Sequence, residues 1–462
     1  MRIERDSMGE MHVPEGALYG ASTQRAVINF PISGHRMPGA FLRGLALVKS
    51  ACAQANEELG LLSPDRSRLI RQVAEEIRSG ALDAQFPIDV FQTGSGTSTN
   101  TNINEVIANR ASEIAGKAIG SKDPLHPNDH VNLGQSSNDV IPTTLHVSVA
   151  VALKESLRPS LDRLRVELDG RARAFASVVK IGRTHLMDAT PLTLGQEFSG
   201  YAAQAAKAVG RVDQAIAALR ELALGGTAVG TGLNCHPEFS GRVCALLSDR
   251  TGIAFVEARN HFEAQGARDD AVEVAGFLAT IAGSLAKMAG DIRLLGSGPR
   301  SGLGEIRLPA TQPGSSIMPG KVNPVMCEMM VQVAIYAQGL AQVVVQCGRD
   351  GQFELNVTLP LIVHSLHEAI GVLAKGAVVF ADRCIHGIEA DAVRCAELVD
   401  RSLMLVTALN PYIGYDQAAA VAKEAFATNR TLREVVLDKG LMDAATLDRA
   451  LNPLAMTQPG GG

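Results

Sequence analysis

Apolar residues recur at three- and four-residue spacing along most of the chain, the period of helices that bury one face or more. From Gly44 to Gly60 they fall at Leu45, Val48, Ala51, Cys52, Ala55 and Leu59, and Gly60 supplies a stop. A second helix is expected from Ser63-Pro64 to Ser79-Gly80, because proline suits the first helical turn. Phe91 to Thr101 is too polar for a core strand and too rich in Gly and Thr for a helix. It reads as a loop leading into a helix from about Asn102 to Lys117. Ile141 to Ala176, interrupted at Pro159, and Leu192 to Leu224 follow as long helices. Glu263 to Leu295, with Val272, Ala275, Leu278, Ile281, Leu285, Met288 and Ile292 in phase, is another. Pro324 to Cys347 and Leu359 to Ala381 complete the long set.

Residues 1–40 look like an extended arm with turns. Beyond Cys384 the helices shorten, punctuated by Asn410-Pro411, Asn429 and Gly440, and Met456 to Gly462 is expected to be disordered. The pattern divides the chain into an N-terminal mixed helical domain (1–138), a central long-helix bundle (139–383) and a small C-terminal helical domain (384–462). No strands alternate with helices, so the fold class is all-α and a doubly wound sheet is excluded. Helices apolar around so much of their circumference need a deeply buried bundle, and oligomerisation provides one.

Composition narrows the partners. The 462 residues are 46% hydrophobic, with no Trp and 4% aromatics, so Ala, Leu and Val fill the core as closely packed helices require. A net charge of −5 offers nothing global to nucleic acid or an anionic membrane, so a small anion would need a local cationic pocket. Seven scattered cysteines without a CxxC pair argue against disulfides and metal clusters, and for free thiols in a reducing cytoplasm. The first residues hold no apolar signal core. Met329 to Cys347 is uncharged and nearly long enough to span a bilayer. The stripe of Gln338, Gln342 and Gln346 marks it instead as a helix buried in protein, and no membrane association is expected.

Five polar islands interrupt this apolar chain: Gly94-Ser95-Gly96-Thr97, His126-Pro127-Asn128-Asp129, Ser136-Ser137-Asn138-Asp139, Gly182-Arg183-Thr184-His185 and the stretch from Gly314 to Asn323. Most precede a predicted helix, where free amides and the helix dipole favour anions. Hydroxyls and amides add neutral donors, and Lys321 adds a point charge suited to a carboxylate. Such a set fits a small dicarboxylate better than a nucleotide, and no phosphate-binding GxxxxGK[ST] is present. Each island alone also reads as an ordinary cap or turn, and His185 alone as a structural histidine. The loop at 314–323 stands apart, with two serines, two glycines, a proline and a lysine in ten residues. Glu328, opening an uncharged helix, calls for a partner such as histidine.

GSSIMPGKVNP, from Gly314 to Pro324, resembles the signature loop of the fumarase/aspartase superfamily. HPNDHVN from His126, QSSNDVIPT from Gln135, GRTHLMDATPLTLGQEFSGY from Gly182, and Cys327-Glu328 are similar to class II fumarases. The resemblance runs from Arg5 through Tyr415, nearly the whole chain. Aspartases share the frame, and ALYGASTQRAVINFPIS and PGKVNPVM lean toward them, but their STND and Pro-Glu are replaced here by Ser136-Ser137-Asn138-Asp139 and Cys327-Glu328. Met187 and Phe91 stand where the family would have Gln and Trp.

The resemblance implies a three-domain subunit whose central helices form the core of a homotetramer, with active sites shared between subunits. It implies Ser315 as the base that takes a C3 proton from malate, with His185, supported by Glu328, handling the departing hydroxide. Ser95, Gly96, Thr97, Ser136, Ser137, Asn138, Thr184, Ser316, Lys321, Val322 and Asn323 are the expected substrate-binding residues. His126, Pro127, Asn128 and Asp129 form a secondary anion site by the same resemblance, although helix capping fits them equally well. No metal and no cofactor are called for. Two rivals remain: an aspartate ammonia-lyase using the same loop and base, and a non-catalytic helical scaffold.

Overall fold

A computed structural model of the chain describes residues 1–460. A hairpin, β1 (Arg2–Asp6) and β2 (Gly9–Val13), forms the N-terminal arm. It leads to α1 (Ala21–Asn29), α2 (Gly39–Glu58) and α3 (Pro64–Arg78). The α3 boundaries follow the expected punctuation, with Pro64 in the first turn and Gly80 at φ +84 beyond the last. α2 begins five residues before the expected Gly44, because Phe41 and Leu42 extend its buried stripe. Burying each such large side chain contributes roughly 1.5–3 kcal/mol.

α4 (Thr97–Ile114) corrects the expectation of a loop to Thr101. Its polar first turns, Thr99, Asn100, Asn102 and Asn104, are buried and bonded by side chains. That tertiary satisfaction overrides their low helical propensity. α5 (Ser137–Ala152) and α6 (Arg158–Ala174) form one continuous helical run through a π-turn at Leu153–Leu157. The widened turn adjoins Pro159, whose missing N–H cannot serve a regular ladder.

A second hairpin, β3 (Val179–Thr184) and β4 (Met187–Thr193), appears where the sequence suggested only a loop before a helix. α7 (Leu194–Ala218) and α8 (Phe239–Thr251) follow. The helix expected from Glu263 to Leu295 is two, α9 (His261–Gly266) and α10 (Asp269–Leu295). The break falls at Ala267, whose backbone is extended, and a Cβ on Gly266 would sit 2.7 Å from the Phe353 carbonyl oxygen. α11 (Val325–Gly348) and α12 (Leu359–Arg383) complete the long set. α13 (Ala392–Arg401), α14 (Asn410–Ile413), α15 (Tyr415–Thr428), α16 (Leu432–Asp438) and α17 (Ala444–Ala450) form the short C-terminal group. Sheets among the described residues are all two-stranded, so the fold is mainly helical.

The described residues group into two compact units. Unit 1 holds 1–159, 210–283 and 333–374, with a core in which α2 packs on α3, α5 and α8. Unit 2 holds 160–209, 284–332 and 375–462. Its C-terminal core gathers Leu405, Leu409, Val421, Leu432, Val435 and Leu447 around Ile181 of β3. The expected disorder from Met456 is corrected as far as Gly460: Thr457 is buried, and its carbonyl accepts from Gln196 Nε2 at 2.9 Å. Gly461 and Gly462, also covered by that expectation, lie outside the described residues.

α10, α11 and α12 are each long and apolar enough to cross a membrane by length and composition. α11 also carries outward-facing Ile335 and Tyr336, 63% and 48% exposed in the single chain.

Candidate active site

In unit 1, two predicted islands become two neighbouring helix starts. Gly96, at φ +73, turns the chain into α4, and a Cβ there would press on Ile141. Ser136 caps α5 by accepting from Asn138 N at 3.2 Å, while Asp139 Oδ1 accepts from Ser136 N at 2.8 Å. The two starts face each other through a string of hydroxyls. Ser95 Oγ lies 2.7 Å from Thr97 Oγ1, and Thr97 Oγ1 lies 2.7 Å from Ser137 Oγ. Asn138 Nδ2 donates to the Ala228 carbonyl at 2.8 Å. Ser95, Thr97, Ser137 and Asn138 thus form one cluster of neutral hydrogen-bonding groups.

Beneath the cluster lies a support whose partners the motifs did not reveal. Asp139 is fully buried, and its Oδ2 accepts from Gly225 N at 3.1 Å and Thr227 N at 2.9 Å. Burial pushes its carboxyl up to about 6 against the pull of those amides. Gly94 is locked in place, with its carbonyl accepting from Leu359 N at 2.9 Å. A Cβ on Gly94 would lie 1.7 Å from the Val357 carbonyl oxygen, which is backbone and has nowhere to go. Gly94→Ala is therefore expected to cost about 3 kcal/mol or more, read as a lower urea midpoint at unchanged slope.

The island at His126 takes a π-turn over Pro127–Val131, and His126 Nδ1 accepts from Asn128 N at 3.3 Å and Asp129 N at 3.1 Å. His126 is thus a cap in this chain, with Asp129 3.3 Å from the same ring nitrogen.

In unit 2, Thr184 closes β3 and His185 forms the hairpin tip, where His185 and Leu186 hold φ of +57 and +63. Two consecutive non-glycine residues in the left-handed region cost about 1 kcal/mol or more each, a strain characteristic of functional turns. The island therefore forms a hairpin tip rather than a helix start. The strand pair excludes it, and Gly182 serves close backbone approach, since a Cβ there would meet the Thr190 carbonyl at 2.5 Å. The hairpin base is pinned by buried Glu305, which accepts from Arg183 Nη1 at 3.0 and 2.9 Å and lies 3.4 Å from Lys180 Nζ.

The signature loop is closed at its base. Gly314 N donates to the Lys321 carbonyl at 2.8 Å, and Asn323 Nδ2 donates to the Gly314 carbonyl at 2.7 Å. Within it, Ser315 Oγ accepts from Ile317 N at 3.2 Å and Met318 N at 3.0 Å. Ser316, Lys321 and Val322 are exposed, as are Thr184, His185 and the Glu328 carboxylate on the first turn of α11. Among the described residues, no hydrogen bond or ion pair joins His185 to Ser315, Lys321 or Glu328 within the chain. No group of three or more His, Cys, Asp or Glu among the described residues is placed to hold a metal ion.

Residues 9–339 match the lyase family, and residues 405–458 match the C-terminal domain of fumarase C. A class II fumarate hydratase of Thermosynechococcus vestitus is 51% identical over 97% of this chain and 96% of its own length. One from Neisseria meningitidis is 50% identical over 99% of both chains. The crystal structure of recombinant class II fumarase from Schistosoma mansoni superposes with a TM-score of 0.97 at 39% identity, covering 99% of each chain. Identity at this level over essentially the full length places the chain in the class II fumarate hydratase family.

Proposed function

We infer that the chain is a hydro-lyase that reversibly adds water to fumarate to give (S)-malate. The observation that carries this reading is identity of about half of all positions, end to end, with proteins named fumarate hydratase class II. Those relatives do not favour the aspartate reading.

Removing the C3 proton of malate is difficult because one adjacent carboxylate acidifies it weakly, and the aci-carboxylate dianion that forms needs preorganised donors. In our reading Lys321, Asn323 and the loop amides surround that group. Ser95, Thr97, Ser137, Asn138 and Thr184 fix the substrate, and Ser315 is the base. A free serine is far too weak for that role. The amides of Ile317 and Met318, already aimed at Ser315 Oγ, support it by stabilising an alkoxide. His185, oriented by Glu328, handles the departing hydroxide.

We further propose a homotetramer whose long helices meet in the centre, with each site shared between subunits, in the cytoplasm. Support comes from the exposed Ile335 and Tyr336 on α11 and from exposed Leu186, Met187, Ile317 and Val322 around the site segments. The three-domain division at 138/139 and 383/384 belongs to the same reading.

Pure protein offered malate should raise fumarate absorbance in the ultraviolet, and aspartate should not. Activity confined to aspartate would overturn the assignment, and inertness toward both would favour the scaffold.

A further inference from the structure

A fully buried lysine lies beneath the hydroxyl cluster, outside every recognised motif. Lys49 sits on α2 with no exposed surface, and its Nζ donates to Asn132 Oδ1 at 2.9 Å and Gln135 Oε1 at 2.8 Å. Burial pulls its ammonium down to about 7, opposed in part by the nearby Asp139 carboxylate. Such a cation is expensive to bury, and apolar residues would have filled the space at lower cost.

Its partners show what it holds. Asn132 Oδ1 also accepts from Asn100 Nδ2 at 3.1 Å and Asn104 Nδ2 at 3.2 Å, one turn apart on α4. Asn132 Nδ2 donates to the Gln135 carbonyl at 3.0 Å, and Gln135 Nε2 donates to the Val131 and Leu133 carbonyls at 3.2 Å. One side chain thus ties the first turns of α4, which follow Thr97, to the turn at 132–135, which delivers Ser136 and Ser137. Around it, Asn100 Oδ1 and Asn104 Oδ1 are buried without partners, so few other bonds hold the two amides in orientation.

We infer that Lys49 is a positioning residue for substrate binding: acting through Asn132 and Gln135, it fixes the distance between the Thr97 and Ser137 hydroxyls. This rests on the reading of that pair as part of the carboxylate site. The 2.7 Å separation of the two oxygens, which belong to different helix starts, is the feature it maintains. Loss of the clamp lets the two starts drift. The carboxylate is then held by one hydroxyl at a time, in the ground state as in the transition state, so KM rises while kcat stays.

The test is a double-mutant cycle on the intact oligomer, with Lys49→Met and Ser137→Ala assayed with malate. Lys49→Met should raise KM about tenfold, the equivalent of one good hydrogen bond, with kcat within about threefold. Because both changes break one device, the double mutant should be little worse than the poorer single mutant. Multiplying effects would overturn the inference, as would an unchanged KM accompanied only by a lower Tm, which marks a purely structural lysine. Should Lys49→Met fail to fold, Gln135→Met removes one acceptor at nearly constant volume, together with the bonds its Nε2 makes to the Val131 and Leu133 carbonyls. It should raise KM in the same direction, and an unchanged KM there overturns the inference. A wild-type protein inert toward malate defeats the functional reading instead, so the two failures are distinguishable.

Discussion

Ser315→Ala should lower turnover with malate by roughly 10³-fold or more, the loss of a positioned base together with the alkoxide-stabilising geometry around it. Ser315 is half-buried in the loop, and its Oγ is the sole acceptor in the chain for the amides of Ile317 and Met318 among the described residues. Removing the oxygen frees those amides to solvent, at a cost to the loop of about 1 kcal/mol, comparable to the loss of a helix cap. The folded core lies elsewhere, so Tm and the mass of the assembly should hardly change. Proton chemistry gives a second readout: exchange of the malate C3 hydrogen with deuterated solvent should fall in step with the rate. An unaffected rate would remove Ser315 from the mechanism. A lost rate with undiminished exchange would assign the proton step to another group.

How much of this was legible in the sequence depended on what kind of signal each part left. Long helices were visible because Leu, Val and Ala repeat in phase over many turns, and local punctuation at Pro64 and Gly80 fixed ends closely. Where tertiary bonding replaced propensity the reading failed. Thr99 and Asn100 look like loop residues until Gln92 and Asn132 are placed beside them. The hairpin at 179–193 was missed because its turn uses His185 and Leu186 rather than the glycine and asparagine that advertise left-handed turns. The islands at 95–97 and 136–138 were identified as polar interruptions, but their mutual contact is a tertiary fact that spacing could not supply. Lys49 left only a faint signal, a lone cation within the apolar run from Leu45 to Ala53, easily read as a solvated edge.

Glu328→Gln should reduce kcat by about 10²-fold while leaving the protein assembled and nearly as stable. Its carboxylate is exposed in the single chain, on the first turn of α11, where a negative charge is worth about 0.5 kcal/mol against the helix dipole. That small term is all the folded chain should lose, and glutamine keeps the shape. The catalytic term is larger because a carboxylate facing an imidazole does two things that an amide does not. It fixes which ring nitrogen carries the proton, and it stabilises the imidazolium that gives its proton to the hydroxide as this leaves as water. No bond joins His185 and Glu328 within one chain among the described residues, and in the proposed shared site the partnership is completed across subunits. Mixing gives the decisive form of the test. Tetramers reassembled from inactive His185→Asn chains and inactive Glu328→Gln chains should regain part of the wild-type rate, because some sites then draw both intact residues from different subunits. Mixtures that stay as inactive as their parents would place the two groups on the same subunit at every site, and the shared-site geometry would be wrong.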